Sequence, residues 1–344
     1  MTPRNTILFG DALDRLRQLP EASVDCVMSS PPYFQLRDYG VDGQLGLEPA
    51  VTEWVESLRR ICRELARVLK PSGALWLNLG DSYSRHARFG TSAKGLFLAP
   101  ERLIIALAAD GWIVRNKVVW SKPNPMPHGV GDRLSLAWEP VYLLVRSHHY
   151  FFDLDAVREP FTTPAKGKPA MKASDPNARP SGAGAVATDT SGRLVGKNPG
   201  DVWTIPIGGY RGAHFATFPP ELVRRPLLST CPEAICVLCG KPWRRGVTMS
   251  RTGETGQAGR ASRDTHVLTY PRRWRTVREI GELVACGCGA PTRPGLVLDP
   301  FFGTGTVGLV ASTHRRDWLG IELNPDYLEL ARLRLGLDPS QVRY

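Results

Sequence analysis

The sequence predicts an α/β protein, with a largely parallel sheet covered by helices. Three observations carry this. Short apolar strands alternate with helical stretches from Ile7 to Val145. The same alternation returns close to the C-terminus, after a long stretch that lacks it. A glycine-rich turn, Gly303-Thr304-Gly305-Thr306-Val307-Gly308, joins a strand to a helix in that second region.

The elements follow in order. Ile7–Phe9 reads as a short strand running into Gly10-Asp11, and Val24–Met28 as a second that ends at Ser29-Ser30-Pro31-Pro32-Tyr33. Two prolines there stop any sheet or helix continuing. Glu53–Leu69 is helical, with Trp54, Val55, Leu58, Cys62, Leu65 and Val68 on one face, ended by Pro71 and Gly73. Ala74–Leu79 is a buried strand before Gly80-Asp81. A helix over Glu101–Ala109 leads to strands at Trp112–Trp120 and Val141–Val145. Glu159–Gly200 is rich in Pro, Gly, Ala, Ser and Lys, has no apolar period, and reads as a mobile loop. Order returns at Asp201-Val202-Trp203. Leu296–Leu298 and Trp318–Ile321 are strands, with a helix from Val307 between them and a closing helix at Pro325–Leu335.

The chain has 344 residues, of which 42% are hydrophobic, enough for one well-buried core and room for about two domains. No stretch is long and apolar enough to cross a bilayer, and Asp11 and Asp14 spoil a signal-peptide layout at the start, so a cytoplasmic protein with no membrane partner is expected. A formal charge of +11 suits a polyanionic partner, because neutralising phosphates releases counterions. Seven cysteines in such a chain argue against a disulfide framework.

The spacing Gly303-x-Gly305-x-x-Gly308, after a strand and at a helix start, marks a Rossmann-like nucleoside site, and Glu322 ends the next strand where a carboxylate would grip ribose hydroxyls. A dinucleotide such as NAD would lay its pyrophosphate on this loop, and a dehydrogenase is one reading of it. Asp299 stands just before the loop and would repel that phosphate. S-adenosylmethionine (SAM) carries an ammonium and a sulfonium instead, both favoured near a carboxylate. The Ser30-Pro31-Pro32-Tyr33 turn closes a strand at the sheet edge where open α/β folds bind ligands. Its paired prolines leave carbonyls without internal donors, so the Pro31 carbonyl and the Ser30 hydroxyl can accept both protons of an amino group, and Tyr33 offers a face for stacking a base.

Together, Ser30-Pro31-Pro32-Tyr33 and Asp299-Pro300-Phe301-Phe302-Gly303-Thr304-Gly305-Thr306 resemble the two signature motifs of the DNA N4-cytosine and N6-adenine methyltransferases of bacterial and phage modification systems. The catalytic motif precedes the SAM motif, as in the circularly permuted beta class. Gly10-Asp11-Ala12-Leu13, Trp138-Glu139-Pro140, His214-Phe215-Ala216-Thr217-Phe218-Pro219 and Gly320-Ile321-Glu322-Leu323-Asn324-Pro325 fit the same pattern. The resemblance covers residues 1–160, 201–230 and 295–335.

The resemblance implies a permuted methyltransferase sheet. Leu296–Leu298 and Trp318–Ile321 would be its first two strands, Ile7–Phe9 would fill the third place, and the strand ending at Ser30 would lie beside the cofactor strand. It implies that Asp299, Phe301, Gly303, Thr304, Gly305 and Thr306 line the methionine end of SAM, that Glu322 holds the ribose, and that Phe215 and Thr217 pack near the cofactor. Double-stranded DNA is the implied partner, with a cognate restriction endonuclease beside it. The target base would be flipped out, with Ser30, Pro31, Pro32 and Tyr33 holding it for direct transfer. Ser30, where adenine enzymes of the family mostly carry Asp or Asn, favours cytosine N4, with adenine N6 as the alternative. A C5 enzyme would need a cysteine nucleophile, and none stands in the Ser30 turn.

The sequence divides into a catalytic half at 1–158, a loop at 159–200 assigned to target recognition, a SAM-binding half at 201–230 and 291–344, and a cysteine-rich basic insert at 231–290. Cys236-x-x-Cys239 and Cys286-x-Cys288 make two close pairs that suit one structural zinc in a zinc-ribbon-like region, with Cys231 as a substitute ligand. Arg244, Arg245, Arg251, Arg260, Arg263, Arg272, Arg273 and Arg275, interleaved with Trp243 and Trp274, suit phosphate contact and base stacking.

Overall fold

A computed structural model of the chain describes residues 2–127, 129–160, 186–189, 196–208, 218–253 and 274–344. The N-terminal stretch lays down β1 (Thr6–Phe9), α1 (Ala12–Arg17), β2 (Val24–Ser29), α2 (Val51–Val68), β3 (Leu69–Asn78), α3 (Ala99–Ala109), β4 (Ile113–Ser121) and β5 (Trp138–Val145). Next come β6 (Val186–Asp189), β7 (Val202–Thr204), α4 (Pro220–Thr230), β8 (Ile235–Cys236), β9 (Arg244–Gly253) and β10 (Trp274–Val284). The chain closes with β11 (Thr292–Arg293), β12 (Leu296–Asp299), α5 (Thr306–Thr313), β13 (Asp317–Glu322), α6 (Pro325–Leu335) and β14 (Val342–Arg343). No helix among the described residues is long and apolar enough to cross a membrane.

The chain divides into two compact units. The first comprises Met1–Asp153, Gly200–Pro242 and Cys288–Tyr344. Among its described residues one nine-stranded sheet runs β14-β1-β13-β12-β2-β3-β5-β4-β7. The neighbours from β14 through to β3 are parallel, and β5 runs antiparallel between β3 and β4. The strand at Ile7–Phe9 pairs with the one at Trp318–Ile321, Ile7 opposite Gly320, as the sequence places it. The strand before Ser30 lies beside the one before Asp299, with Cys26 opposite Val297.

β2 is buried along its whole length, as a central parallel strand covered on both faces must be. It nevertheless carries Asp25, whose carboxylate pairs with Lys70 and accepts from the Leu296 N–H at 2.9 Å, so the charge has partners. α2 buries Trp54, Leu58, Ile61, Cys62, Leu65 and Val68 against the sheet, while Glu56, Arg59 and Arg63 pair on its outer side. Its cap residue, Leu69, is already extended and opens β3, so Pro71 and Gly73 fall inside the strand and the helix ends before them. α4 escaped the sequence reading because Pro226 sits within it, where a proline normally ends a helix.

Phe302 sets a tight constraint behind the glycine loop. Its ring stacks on Trp318 with centroids 5.2 Å apart. A Cβ built on Gly320 would stand 2.4 Å from that ring, and one on Gly308 would stand 2.8 Å from it. Phe302 is 3% exposed and cannot step aside into solvent. Gly320→Ala is therefore expected to destabilise the fold by about 1–3 kcal/mol through overpacking, read as a lower melting temperature. An unchanged melting temperature would show that Phe302 repacks.

The second unit comprises Leu154–Pro199 and Trp243–Gly287. β9 and β10 form an antiparallel hairpin, irregular between Ile280 and Leu283, and β6 pairs parallel to β10. Part of the stretch read as a loop thus forms β6, with an isolated bridge between Glu159 and Lys197; its residues 161–185 and 190–195 lie outside the described residues, as do Arg260, Arg263, Arg272 and Arg273.

Candidate active site

Five parallel strands end at one edge of the sheet, and the loops beyond them surround a cavity of about 510 Å³. Open α/β sheets bind ligands at this edge, and the volume suits a nucleoside-sized molecule. β1 delivers Gly10 and Asp11, β2 delivers Ser30 to Tyr33, and β3 delivers Asn78. β12 delivers Phe301, Gly303, Thr304 and Thr306, and β13 delivers Glu322 and Asn324. The two motifs, far apart in sequence, thus line one space. Asp299 and Gly305 are not among the lining residues. Phe215 and Thr217 lie outside the described residues.

The glycine loop is held from below. Gly303 and Gly305 have φ of +53° and +78°, in the left-handed region, which lets the chain turn sharply from β12 into α5. Glu322 braces the turn: one oxygen accepts from the Gly303 N–H at 2.6 Å and the other from the Asn324 N–H at 2.7 Å. Burial raises its carboxyl above the usual range. Asp299 is buried at the end of β12, where it accepts from the Ser29 hydroxyl at 2.6 Å and the Phe301 N–H at 3.0 Å. Burial pushes its carboxyl up to about 7 despite those two donors, and the charge of Glu322 adds to the rise. Asp299 therefore ties the loop to the Ser29-Ser30 strand end. Arg334 on α6 reaches the Thr304 and Thr306 hydroxyls, both at 3.0 Å, a brace the sequence did not reveal.

The proline turn is held just as firmly. The Trp54 indole N–H donates to the Pro32 carbonyl at 3.0 Å, so one of the two carbonyls expected to lack an internal donor has one. Among the described residues the Pro31 carbonyl has none. The Tyr33 ring rests against Gly80, where a Cβ would come within 2.2 Å of it, so only glycine leaves room. The Tyr33 hydroxyl lies 2.8 Å from a Glu139 carboxylate oxygen, 3.0 Å from the Ser30 hydroxyl and 3.2 Å from the Asn78 amide oxygen. Burial first, and the Glu139 charge second, lift this phenol well above its ordinary range, so it stays protonated. Lys122 ion-pairs with the other Glu139 oxygen. The antiparallel β4–β5 pair sets Trp120 opposite Glu139, which brings Lys122 and Glu139 side by side.

Lys122 and Asn78 carried no signal of their own in the sequence. Glu139 did: a carboxylate opening the apolar run Val141–Val145 is out of place unless it meets a partner. The cavity thus offers an unpaired carbonyl, a hydroxyl and an aromatic ring beside a glycine loop. Among the described residues no cysteine lines it.

The sulfurs of Cys236, Cys239 and Cys288, all in the first unit, lie within 4.8 Å of one another. Thiolates at about 2.3 Å from a tetrahedral ion stand roughly 3.8 Å apart, so these three residues fit part of a zinc site; Cys286 belongs to the second unit. The Gly240 N–H donates to the Cys236 carbonyl at 3.0 Å, closing the short loop between the first pair. Cys231, left open by its spacing as an alternative ligand, lies outside this group: it is wholly buried, and burial holds its thiol well above the usual range. Cys26 and Cys62 are buried core residues, as expected.

The family model described as DNA methylase, covering N6 and N4 enzymes, matches residues 24–238 and 291–333. The chain belongs to the N6/N4 DNA methylase family. The methylase is 33% identical to the Type II methyltransferase M.Cfr9I of Citrobacter freundii over 98% of this chain and 90% of that one. Its fold is similar to that of the PvuII DNA methyltransferase (cytosine-N4-specific), with a TM-score of 0.58 and 19% identity over 98% of this chain and 88% of that one. It is also similar to a putative DNA modification methylase from Thermus thermophilus complexed with S-adenosyl-L-methionine, with a TM-score of 0.50 and 21% identity over 96% and 94% of the two chains. These likenesses establish a DNA amino-methyltransferase with a mixed α/β methyltransferase fold and a large, mostly parallel sheet. The internal stretch left unmatched by the family model, 239–290, contains the β9–β10 hairpin.

Proposed function

We propose that the methylase transfers a methyl group from SAM to cytosine N4 in double-stranded DNA, on a base flipped into the cavity. The observation that carries this reading is the meeting of the Ser30-Pro31-Pro32-Tyr33 turn and the Gly303–Thr306 loop in one cavity. When bound, SAM supplies the activated methyl. Glu322, Gly303, Thr304 and Phe301 would hold it, and the Asp299 carboxylate would act through the loop it anchors. Ser30 and the Pro31 carbonyl would accept the two amine protons, turning the nitrogen lone pair out of conjugation and towards the methyl. Tyr33 would stack on the base.

Cytosine is favoured over adenine because adenine enzymes of the family mostly carry Asp or Asn where this chain has Ser30. The cytosine-N4 specificity in the name of the PvuII enzyme supports the same choice. The decisive test digests DNA treated with enzyme and SAM to nucleosides for mass spectrometry. The N4-methylated deoxycytidine is expected, and the N6-methylated deoxyadenosine as the sole product would overturn the cytosine assignment.

The chain reads as a circular permutation in which β1 supplies the third strand place beside β13. The second unit, with its basic hairpin, is assigned to target recognition, and the likeness to a Type II methyltransferase suggests a cognate endonuclease. Cys236, Cys239, Cys286 and Cys288 would hold one structural zinc. Purified chain is then expected to carry about one zinc by elemental analysis. Cys236→Ser should lower the melting temperature first and activity only as a consequence. Metal-free protein prepared without chelator would exclude the site.

A further inference from the structure

A connected set of side chains leads away from the proposed amine position, and the proposed transfer does not yet use its far end. Ser30 lies 3.0 Å from the Tyr33 hydroxyl, and Tyr33 lies 2.8 Å from Glu139. A phenol has one proton to donate. The charged carboxylate at 2.8 Å takes it in preference to the Asn78 amide oxygen at 3.2 Å, so the Ser30 hydroxyl donates to Tyr33. Every hydrogen therefore points away from the amine, and the Ser30 lone pairs point back at it. The Asn78 amide also donates to the same Glu139 oxygen at 3.1 Å, and Lys122 pairs with the other one. These contacts fix the carboxylate in place. Glu139 and Lys122 are both cavity-lining residues, though each is mostly covered, with side-chain exposures of 18% and 14%.

We propose that Ser30, Tyr33 and Glu139 form a proton relay that carries the amine proton released by methylation to the Glu139 carboxylate. The inference rests on the amino-methyltransferase reading of the same cavity. The amine nitrogen bonds to the methyl carbon as the sulfur–carbon bond breaks, and the sulfonium becomes a neutral thioether. The nitrogen, now positively charged, passes one proton to the Ser30 oxygen. The Ser30 proton moves to Tyr33 and the Tyr33 proton to Glu139. The products are the methylated amine, the thioether and a neutral Glu139, with Ser30 and Tyr33 restored. Charge balances, since one sulfonium and one carboxylate are neutralised together. Glu139 returns its proton to water when the products leave. Tyr33 is too weak an acid to hold the negative charge itself, which suits a conductor and excludes it as the final base. Glu139 acts through Tyr33 and Ser30, and is a positioning and relay residue rather than one that touches the base.

The relay can be cut at two places. Tyr33→Phe keeps the ring and removes the hydroxyl, and Glu139→Gln keeps the shape and removes the charge. Single-turnover transfer would be followed with tritiated SAM and a pool of unmethylated random-sequence duplex DNA, in mixtures of light and heavy water. SAM affinity by calorimetry and the melting temperature would be measured alongside. Each variant is expected to slow transfer about 100-fold, the scale of positioned proton transfer, with SAM affinity within about twofold of the parent. The double variant should be no slower than the slower single one, because a chain is broken only once. The parent should show a curved dependence on heavy-water fraction, reporting several moving protons, and both variants a straight one. In infrared difference spectra of one turnover, a protonated-carboxyl band should appear in the parent and be absent from Glu139→Gln. Additive losses, or variants that keep the parent rate and curvature, would overturn the relay while leaving the methyltransferase reading intact. A parent enzyme that leaves no methylated nucleoside in the digest would instead contradict that reading.

Discussion

Replacing Ser30 with alanine is expected to cut methyl transfer by about 100- to 1,000-fold, the scale lost when one preorganised hydrogen-bonding group is removed from a reacting centre. Ser30 is the point where the amine, the Tyr33 hydroxyl and the base would meet. The Pro31 carbonyl alone would hold one of the two amine protons, leaving the lone pair conjugated with the ring. SAM affinity should be unaffected, because the serine lies on the opposite motif from the glycine loop. Rapid-quench kinetics with calorimetry separates the two quantities. A variant that transfers at the parent rate would remove Ser30 from the reaction.

Asp299→Ala carries the second large effect. Losing the carboxylate leaves the buried Ser29 hydroxyl and the Phe301 N–H without their acceptor. An unpaired buried donor costs about 1–3 kcal/mol, so SAM binding should weaken about tenfold or more and stability should fall as well. The pH dependence is distinctive. The folded chain holds the Asp299 proton up to about pH 7, whereas an unfolded chain releases it near its ordinary value of 3.8. This contribution to the stability of the cofactor-free chain is fully present below the ordinary carboxylate value. It is lost as pH rises through about 7. Asp299→Asn should remove that decline, measured as melting temperature across a pH series. Unaltered SAM affinity in Asp299→Ala would show that the loop stands without its anchor.

Much of this architecture was legible because parallel strands and their loops obey local rules. The apolar runs at Val24–Met28 and Leu296–Leu298 marked strands, with the two motifs at their carboxyl ends. What escaped has identifiable causes. Pro226 disguised α4. The β9–β10 hairpin is too polar and too rich in arginine to show an apolar alternation. The Lys122–Glu139 pair depends on the register of two antiparallel strands, which no local pattern encodes. Asp299 was legible as important, but its role changed: a carboxylate before a glycine loop suggested direct contact with a cation, whereas the structure turns it towards Ser29 and Phe301.

The central claim is that the cavity between the two motifs is built for SAM. Calorimetric titration of the purified full chain with SAM, and separately with NAD, tests it most directly. One equivalent of SAM per chain and no heat with NAD is the expected result; binding of NAD with silence towards SAM would contradict the account.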